Sequence, residues 1–264
     1  MKLIKHLVDK PWGRTDIPAE FGTLSGRRVG EIWYSAETDA PLPILVKWLF
    51  TSERLSIQVH PDDAQAYARG MPSGKEECWY VVDAEPGAVI GIGTNRPLSG
   101  DELYAASLSG EIEKLMDWKK VSAGDYFYIP AGTVHAIGAG ISLVEVQQYA
   151  DITYRLYDYG RDRELHLEDG VAVSSARPYT DIRSGHARTG TQLVDGPHFQ
   201  LWLVSEIEDV PALLPSGIIW IVPLSGNVQA DGEMAAKGDC IVTSDKAKIT
   251  FSSDAKALVA RIRA

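Results

Sequence analysis

Side chains able to bind a metal ion occur in three short segments of this sequence. The first segment contains Gln58 and His60, and the second ends at His135. The third begins with the adjacent acids Glu76 and Glu77. Two imidazoles, one carboxylate and one amide oxygen suit a borderline divalent ion such as Zn²⁺. A single carboxylate leaves such an ion partly uncompensated, so the site would act as a Lewis acid on hydroxyl and carbonyl oxygens.

Residues 56–60 are predicted to form a strand with one polar face. Alternate side chains of a strand share a face, so Ser56, Gln58 and His60 would point the same way. Three polar groups on one face cannot lie in an apolar core without partners. The face therefore either meets water, as on a surface strand, or lines a polar cavity.

Residues 124–135 combine a turn, a strand and a histidine. Pro130 would end the pairing of the strand, Gly132 would bend the chain, and His135 would open the next segment. The spacing Gly, five residues, Pro, one residue, Gly, two residues, His is similar to the second metal-binding signature of the cupins. The alternative is a hairpin that happens to end in histidine.

The residues around Glu76 and Glu77 do not show which of the two acids would face a metal site. The next residues along the chain are apolar on both faces of a predicted strand, so periodicity cannot choose which acid faces a site. A strand whose start is simply solvated remains the alternative.

Candidate cations for an anionic ligand occur later in the chain. Asp151, Thr153 and Arg155 share one face of a predicted strand. Arg155 either pairs with Asp151 at the surface or serves as a cation for phosphate or a developing oxyanion. With Lys75 it would supply the basic cluster that a chain of net charge −10 otherwise lacks. We expect surface or packing roles for the other histidines, His6, His166, His186 and His198.

The composition is that of an ordinary globular protein, with 264 residues of which 45% are hydrophobic and 23% charged. The excess of acids disfavours nucleic acid as a partner, because it repels phosphate backbones. Cys78 and Cys240 lie outside any Cys-x-x-Cys pair, which fits a reducing cytoplasm. No signal peptide and no run of about 18 apolar residues is visible, so we predict a cytoplasmic protein without a membrane partner.

Short runs of β-branched and aromatic residues, separated by Gly, Pro, Asp and Ser, predict a mainly β sandwich or barrel. A short helix is predicted over 61–70, and two more over 99–118 with a break at Gly110. One segment is repeated: Ala123–Ile129 and Lys237–Thr243 both place Gly-Asp at a turn before a strand. The repeat indicates two related β-units, of which the second lacks the histidine. Alternatively, Gly-Asp turns simply recur in β-proteins.

Taken together, these segments resemble the type I mannose-6-phosphate isomerases. The resemblance covers about residues 10–165 and keeps the family's order. The matching stretches are Trp12-Gly13, Gly30–Trp33, Leu55–Asp63, Gly74–Tyr80, Asp83–Gly87, Tyr128–His135, Glu145–Gln148 and Asp151–Arg161. The combination of QVHPDD, ECWY and PAGxxH is far more specific than any single piece.

The resemblance implies a cupin-type double-stranded β-helix, or jelly-roll barrel, with a few short helices and one zinc ion per chain. The family's zinc ligands fall on Gln58, His60, Glu77 and His135. Its active-site arginine falls on Arg155, and Ser56 and Lys75 match positions expected to face the substrate. We therefore predict a catalytic cupin domain over 1–185, with a helical insertion near 99–118. A smaller cupin-like unit without metal ligands would cover 186–264.

The implied reaction interconverts mannose 6-phosphate and fructose 6-phosphate through an enediol. The general base stays open among Asp151, Lys75 and a metal-bound water. Two other functions are possible. One is another metal-dependent cupin enzyme, such as an iron dioxygenase, although those more often have His-x-His where this chain has Gln58-Val59-His60. The other is a non-catalytic sugar-binding cupin, which would have no need of a Lewis acid.

Overall fold

The computed structural model describes residues 1–37, 42–209 and 217–263. The described chain is mainly β, as predicted. Its strands are β1 (Ile4–Arg14), β2 (Val29–Ser35), β3 (Ile44–Phe50), β4 (Ile57–Val59), β5 (Glu77–Ala84), β6 (Val89–Thr94), β7 (Met116–Lys120), β8 (Asp125–Ile129), β9 (His135–Ile137), β10 (Ile141–Gln148), β11 (Tyr154–Tyr157), β12 (Gly185–His186), β13 (Thr191–Asp195), β14 (Phe199–Val204), β15 (Ile219–Ser225), β16 (Asn227–Ala230), β17 (Glu233–Ala236), β18 (Ile241–Thr243), β19 (Ile249–Phe251) and β20 (Lys256–Ile262).

The helices are short. They are α1 (Asp63–Tyr67), α2 (Gly100–Ser109), α3 (Ile112–Leu115) and α4 (Leu167–Val173), with 3₁₀ turns at Ala19–Phe21, Ile207–Asp209 and Lys246–Lys248. Asp62 and Ser99 cap α1 and α2 in capping boxes. Gly110 ends α2 in the left-handed conformation, so the predicted break is confirmed. The second predicted helix stops earlier than expected, because Met116 onward pairs as β7 instead.

A large antiparallel sheet, ordered β1-β2-β3-β10-β5-β8-β12, forms the centre of the molecule. Both faces of its central strands β3, β10 and β5 are buried. Trp48 of β3 and Tyr80 of β5 pack into one apolar cluster, whereas their neighbours Leu49 and Trp79 pack into another on the opposite face. This alternation explains why the run after Glu77 is apolar at every position.

A smaller antiparallel sheet, ordered β11-β4-β9-β6-β7, packs against one face of the large sheet. Its outer face, with Ile57, Val59 and Leu156, is covered by apolar residues of α2, α3 and α4. Its inner face carries the polar residues of β4. The two sheets are separate in their pairing and do not close into one continuous barrel.

The C-terminal strands form two further sheets, ordered β13-β14-β20-β15-β18 and β17-β16-β19. Leu201, Leu203 and Trp220 of this region share a core with the outer face of the large sheet. A separate apolar cluster, which includes Ile249, fills the space within the C-terminal strands themselves. The division into domains at residue 185 stays a prediction.

Candidate active site

Three neighbouring strands of the small sheet place polar side chains in a row. Arg155 of β11 is the register partner of Gln58 in β4, and Gln58 is in turn the partner of His135 in β9. Directly opposed residues of antiparallel strands project from the same face. Arg155, Gln58 and His135 therefore stand side by side on the face that meets the large sheet.

The large sheet contributes Glu77 to this group. His60, Glu77 and His135 each offer a ligand atom, and these atoms lie within 4.8 Å of one another. Glu77 Oε2 is 3.4 Å from His60 Nε2, and Glu77 Oε1 is 3.5 Å from His135 Nε2. All three side chains are buried. Glu76 points the other way, to the hydroxyl of Tyr128, so it is Glu77 that joins the group.

Both histidines are oriented by backbone carbonyls. Nδ1 of His60 lies 2.7 Å from the carbonyl of Ile152, and Nδ1 of His135 lies 2.8 Å from that of Thr133. A carbonyl can only accept, so each Nδ1 carries the proton and each Nε2 lone pair faces Glu77. Second-layer contacts of this kind fix the tautomer of metal-binding histidines.

Electrostatics keep the imidazoles neutral. Burial holds the pKa of His60 well below its usual range and lowers the pKa of His135 to about 4. Burial and the neighbouring Glu145 raise the pKa of Glu77. Neutral imidazoles are the form that binds a metal. Glu77 Oε1 accepts no hydrogen bond within the described part of the chain, and Oε2 faces the Lys75 ammonium at 3.1 Å, so the carboxylate is directed toward cations.

Gln58 and Ser56 complete the polar face of the strand. The Gln58 amide nitrogen lies 3.3 Å from His135 Nε2, and its carbonyl oxygen accepts from the Ser56 hydroxyl at 3.1 Å. Turning the amide over would present the oxygen to the histidine side, since the two ends of an amide are alike in shape. The predicted alternation is confirmed, because Ile57 and Val59 pack into the apolar cluster on the other face, and Ser56 and Gln58 line a cavity.

Lys75 is buried beside the same group. Its Nζ lies 3.1 Å from Glu77 Oε2 and 3.2 Å from His60 Nε2. Burial alone would lower the pKa of Lys75, but the charges of Glu77 and Glu145 outweigh it and raise the pKa. Lys75 therefore holds a fixed positive charge next to the candidate ligands.

A cavity of about 290 Å³ opens beside these residues. Four residues predicted to act on substrate line it, namely Ser56, Lys75, Asp151 and Arg155. The sequence analysis did not identify six further charged or imidazole residues of the wall, namely Lys10, Glu31, Lys47, Glu145, Arg163 and His166. Five of the lining side chains are basic and three are acidic, so the wall is net positive within an acidic protein.

Two of the missed residues carried a signal in the sequence. Lys47 is the only charged residue of β3 and Glu145 is the only charged residue of β10, and the two strands pair these residues directly. Their ion pair is buried, with Lys47 Nζ 3.4 Å from Glu145 Oε1. The Trp79 indole donates to Glu145 Oε2 at 3.0 Å. A charged side chain in a strand that is buried on both faces needs an oppositely charged partner or a polar cavity. Lys47 and Glu145 have both, because they pair with each other and line the cavity.

The other histidines mostly agree with expectation. His6 contacts Ser35 near the surface, and His186 contacts Asp125 while remaining largely exposed. His198 lies on the C-terminal side of the large sheet, 3.9 Å from Glu76. His166 departs from the expectation, because it lines the cavity next to Arg155.

The site and the fold define a class of protein. Two histidines and a glutamate, grouped between antiparallel sheets beside a basic cavity, are able to hold a metal ion, which is the arrangement of a cupin-type protein. Two solved structures are similar to this chain in fold. The mannose 6-phosphate isomerase of Bacillus subtilis is 25% identical with a TM-score of 0.80, over 98% of each chain. A putative mannosephosphate isomerase of Archaeoglobus fulgidus is 17% identical with a TM-score of 0.76, over 100% of this chain and 98% of its own.

Curated relatives extend this likeness to sequence. The mannose-6-phosphate isomerase of Streptococcus mutans is 36% identical over 262 residues, which span 94% of this chain and 80% of the relative. No family model matches the chain. The chain belongs to the mannose-6-phosphate isomerase family. The predicted family, fold class and enzyme class are thereby confirmed.

Among the described helices, none has the length and apolar character needed to cross a membrane.

Proposed function

We propose that this chain interconverts mannose 6-phosphate and fructose 6-phosphate, using one zinc ion held by Gln58, His60, Glu77 and His135. The observation that carries the proposal is the group of two histidines and Glu77 directly behind Gln58 and Lys75, which line a net positive cavity. A sugar phosphate needs both features, because its reacting oxygens suit a Lewis acid and its phosphate suits basic side chains. We keep the predicted cytoplasmic location as part of this proposal.

The ligand spacing supports zinc. Ligands bound at about 2.0–2.1 Å in a tetrahedron stand about 3.3–3.4 Å apart. Glu77 Oε2 lies 3.4 Å from His60 Nε2 and Glu77 Oε1 lies 3.5 Å from His135 Nε2, while the ligand atoms of the three residues all lie within 4.8 Å of one another. The Gln58 amide nitrogen, whose place the oxygen takes when the amide is turned over, lies 3.3 Å from His135 Nε2. A related structure, 15% identical with a TM-score of 0.67, is a mannose 6-phosphate isomerase bound with zinc and yttrium.

The bound zinc ion would polarise the two adjacent oxygens of the substrate. The chain's own residues do the rest. Lys75 and Arg155 are cations on two sides of the row of ligands, and each would stabilise the negative charge that develops on the enediol oxygens. Ser56 would position a substrate hydroxyl, since its own hydroxyl lines the cavity next to Gln58.

The proton that moves between C1 and C2 needs a general base. Asp151 and Lys75 are the two candidates from the sequence that line the cavity. Glu77 and Glu145 favour the protonated form of Lys75 in the protein itself. We therefore propose Asp151 as the base and Lys75 as an electrostatic group. Asp151→Asn should abolish exchange of the C2 proton with solvent, whereas exchange at the wild-type rate in this variant would exclude Asp151.

The experiment that tests the function is conversion of mannose 6-phosphate to fructose 6-phosphate before and after chelation, and again after Zn²⁺ is restored. We expect activity to be lost and then regained. Arg155→Ala should keep the metal and lose about 100-fold in kcat. Arg155→Ala with full activity would contradict the role given to that residue.

Two rival functions predict different results in the same assays. An iron dioxygenase would bind iron and consume oxygen, and a sugar-binding cupin would bind the sugar phosphate tightly without turnover. Either result from metal-loaded, folded protein would overturn the isomerase proposal.

A further inference from the structure

A group of hydrogen bonds lies on the face of the large sheet opposite the candidate metal site. Gln147 of β10 is the register partner of Glu77, so it projects from the same face as that candidate ligand. The next residue, Gln148, therefore points to the opposite face. Its side-chain amide contacts two chain segments, and each of these segments carries a candidate ligand.

Gln148 extends the pairing of β10 with β5 by one residue. The backbone N–H of Gln148 donates to the carbonyl of Glu76 at 3.1 Å, and the N–H of Glu76 donates to Gln148 Oε1 at 2.9 Å. Glu76 is thereby held in the ladder through both of its backbone groups. Because Glu77 follows directly, the pairing fixes the start of the strand from which Glu77 projects.

Asp63 joins the same segment to the residues that follow His60. It comes three residues after His60, and its Oδ1 accepts two hydrogen bonds. One is from the backbone N–H of Gly74 at 2.7 Å, and the other is from Gln148 Nε2 at 2.9 Å. A single carboxylate oxygen therefore links the segment that carries His60, the segment that carries Glu77 and the end of β10.

The two ligand-bearing segments also meet directly through their backbones. The N–H of Lys75 donates to the carbonyl of Pro61 at 3.0 Å. A Cβ added at Gly74 would lie 2.5 Å from the carbonyl carbon of Asp62, so only glycine allows this approach. Loosening of the contact would move apart the two candidate ligands that these segments carry.

We propose that Asp63 and Gln148 are positioning residues that hold His60 and Glu77 at metal-binding distance. This inference rests on the proposed metal-dependent isomerase function, and it names residues that set the metal affinity from outside the group of ligands. Both residues lie outside the lining of the cavity, so they act through the backbone of the ligand segments and not on the substrate. Removal of groups that orient metal ligands typically costs about 10- to 100-fold in metal affinity.

Asp63→Ala tests the positioning role, and Asp62→Ala is its matched control. Asp62 is the neighbouring aspartate, and its side chain caps α1 by accepting from the N–H of Gln65 at 2.8 Å. Both variants lose a carboxylate that accepts a backbone hydrogen bond. Only Asp63→Ala releases Gly74 and Gln148.

We expect Asp63→Ala to weaken Zn²⁺ binding about 10- to 100-fold, as measured by chelator competition on folded protein. Asp62→Ala should bind Zn²⁺ within about 3-fold of wild type, although the lost cap lowers its stability. Equal losses of affinity in the two variants would overturn the proposal, because a general loosening of α1 would then explain both.

Asp63→Asn separates the hydrogen bonds from the charge. Asparagine keeps an oxygen that can accept from Gly74 and Gln148. It removes the negative charge that lies 3.9 Å from His198 Nδ1 of the C-terminal strands. We expect this variant to bind Zn²⁺ within about 3-fold of wild type. Affinity as low as that of Asp63→Ala would contradict the proposal, because the charge would then set the affinity.

Gln148→Met provides a second variant, which removes the other partner and keeps a side chain of similar length. It should weaken Zn²⁺ binding about 10-fold or more. In the metal-free protein it should also speed hydrogen exchange of the Glu76 amide, which loses its acceptor. Faster exchange with unchanged Zn²⁺ affinity would exclude Gln148 as a positioning residue.

Metal affinity and turnover together separate this inference from the isomerase proposal. Suppose that wild type binds Zn²⁺ more tightly than Asp63→Ala but does not convert mannose 6-phosphate. The isomerase function then fails and the positioning role stands. If wild type is an active isomerase and Asp63→Ala binds Zn²⁺ equally tightly, the positioning role fails and the function stands.

Discussion

The turn before β8 and the turn before β18 are built alike, but only the first leads to a residue of the candidate metal site. Gly124 and Gly238 have φ angles of 93° and 89°, both in the left-handed region. Asp125 and Asp239 each accept a hydrogen bond from the backbone N–H three residues earlier, at 2.8 and 3.0 Å. The short repeat in the sequence therefore corresponds to the same turn in the structure, whereas two related β-units stay a prediction.

The two copies differ in the residue that the chain reaches after the strand. Eleven residues after its glycine, the first copy reaches His135 at the start of β9, and the second reaches Ile249 at the start of β19. Both side chains are buried. His135 faces Glu77 and His60, whereas Ile249 packs into the apolar cluster of the C-terminal strands. The two turns thus have the same geometry, and the residue eleven positions after the glycine determines whether a candidate metal site forms.

The largest expected effect is that of His135→Ala. Removal of one imidazole from the group should abolish stoichiometric metal binding and reduce isomerase activity at least about 100-fold. Metal content by emission spectroscopy and turnover of mannose 6-phosphate would check this. A variant that kept both would remove His135 from the site.

Ile249→Ala is the matched change in the other copy. It should cost about 2–5 kcal/mol in the free energy of unfolding, because it leaves a cavity in an apolar cluster. Metal content and kcat of the folded fraction should stay close to wild type. Loss of metal in this variant would show that the C-terminal strands support the site directly.

A smaller effect is expected when alanine replaces each turn glycine. A Cβ at Gly238 would lie 2.9 Å from the backbone oxygen of Glu20, whereas one at Gly124 would lie 2.9 Å from the side chain of His186. Both variants also force a residue with Cβ into the left-handed region. We expect urea unfolding to show a loss of about 2–3 kcal/mol for Gly238→Ala and about 1–2 kcal/mol for Gly124→Ala. The reverse order would mean that the His186 ring cannot move aside.

Local patterns in the sequence were enough to predict much of the site. Strand alternation placed Ser56, Gln58 and His60 on one face, where Ser56 and Gln58 line the cavity and His60 joins the group with Glu77 and His135. Strand alternation could not choose between Glu76 and Glu77, because the strand that follows them is apolar on both faces. Only the pairing of β5 between β10 and β8, with the small sheet opposite, determines which acid meets the histidines.

The residues that sequence analysis missed depend on contacts between distant segments. Lys47 meets Glu145 through the register of β3 and β10, which are far apart in the chain. His166 reaches the cavity because the chain before α4 returns to pair with Arg155. Neither register nor return path can be read from local periodicity, so long-range pairing limited the prediction.

The smallest expected effect concerns the two turn aspartates. Asp239 lies 2.7 Å from Lys2 Nζ and 3.0 Å from Lys5 Nζ. Burial alone would raise the pKa of Asp239, but hydrogen bonds from Lys2 and the backbone outweigh it and lower the pKa. A carboxyl with a lowered pKa adds stability above its unfolded-state pKa and loses it as the pH falls through the folded-state value.

Asp239→Asn should therefore lower the free energy of unfolding by about 1 kcal/mol at pH 7. The difference in the free energy of unfolding between Asp239→Asn and wild type should shrink below about pH 4, as wild-type Asp239 becomes protonated. The matched Asp125→Asn change keeps an amide oxygen that can accept the turn hydrogen bond from Ser122 and weakens a contact with the largely exposed His186, so it should cost less than about 0.5 kcal/mol. Urea unfolding of both variants between pH 3 and 8 measures the difference. A gap for Asp239→Asn that stayed constant with pH would mean that the turn geometry, and not the charge, makes the contribution.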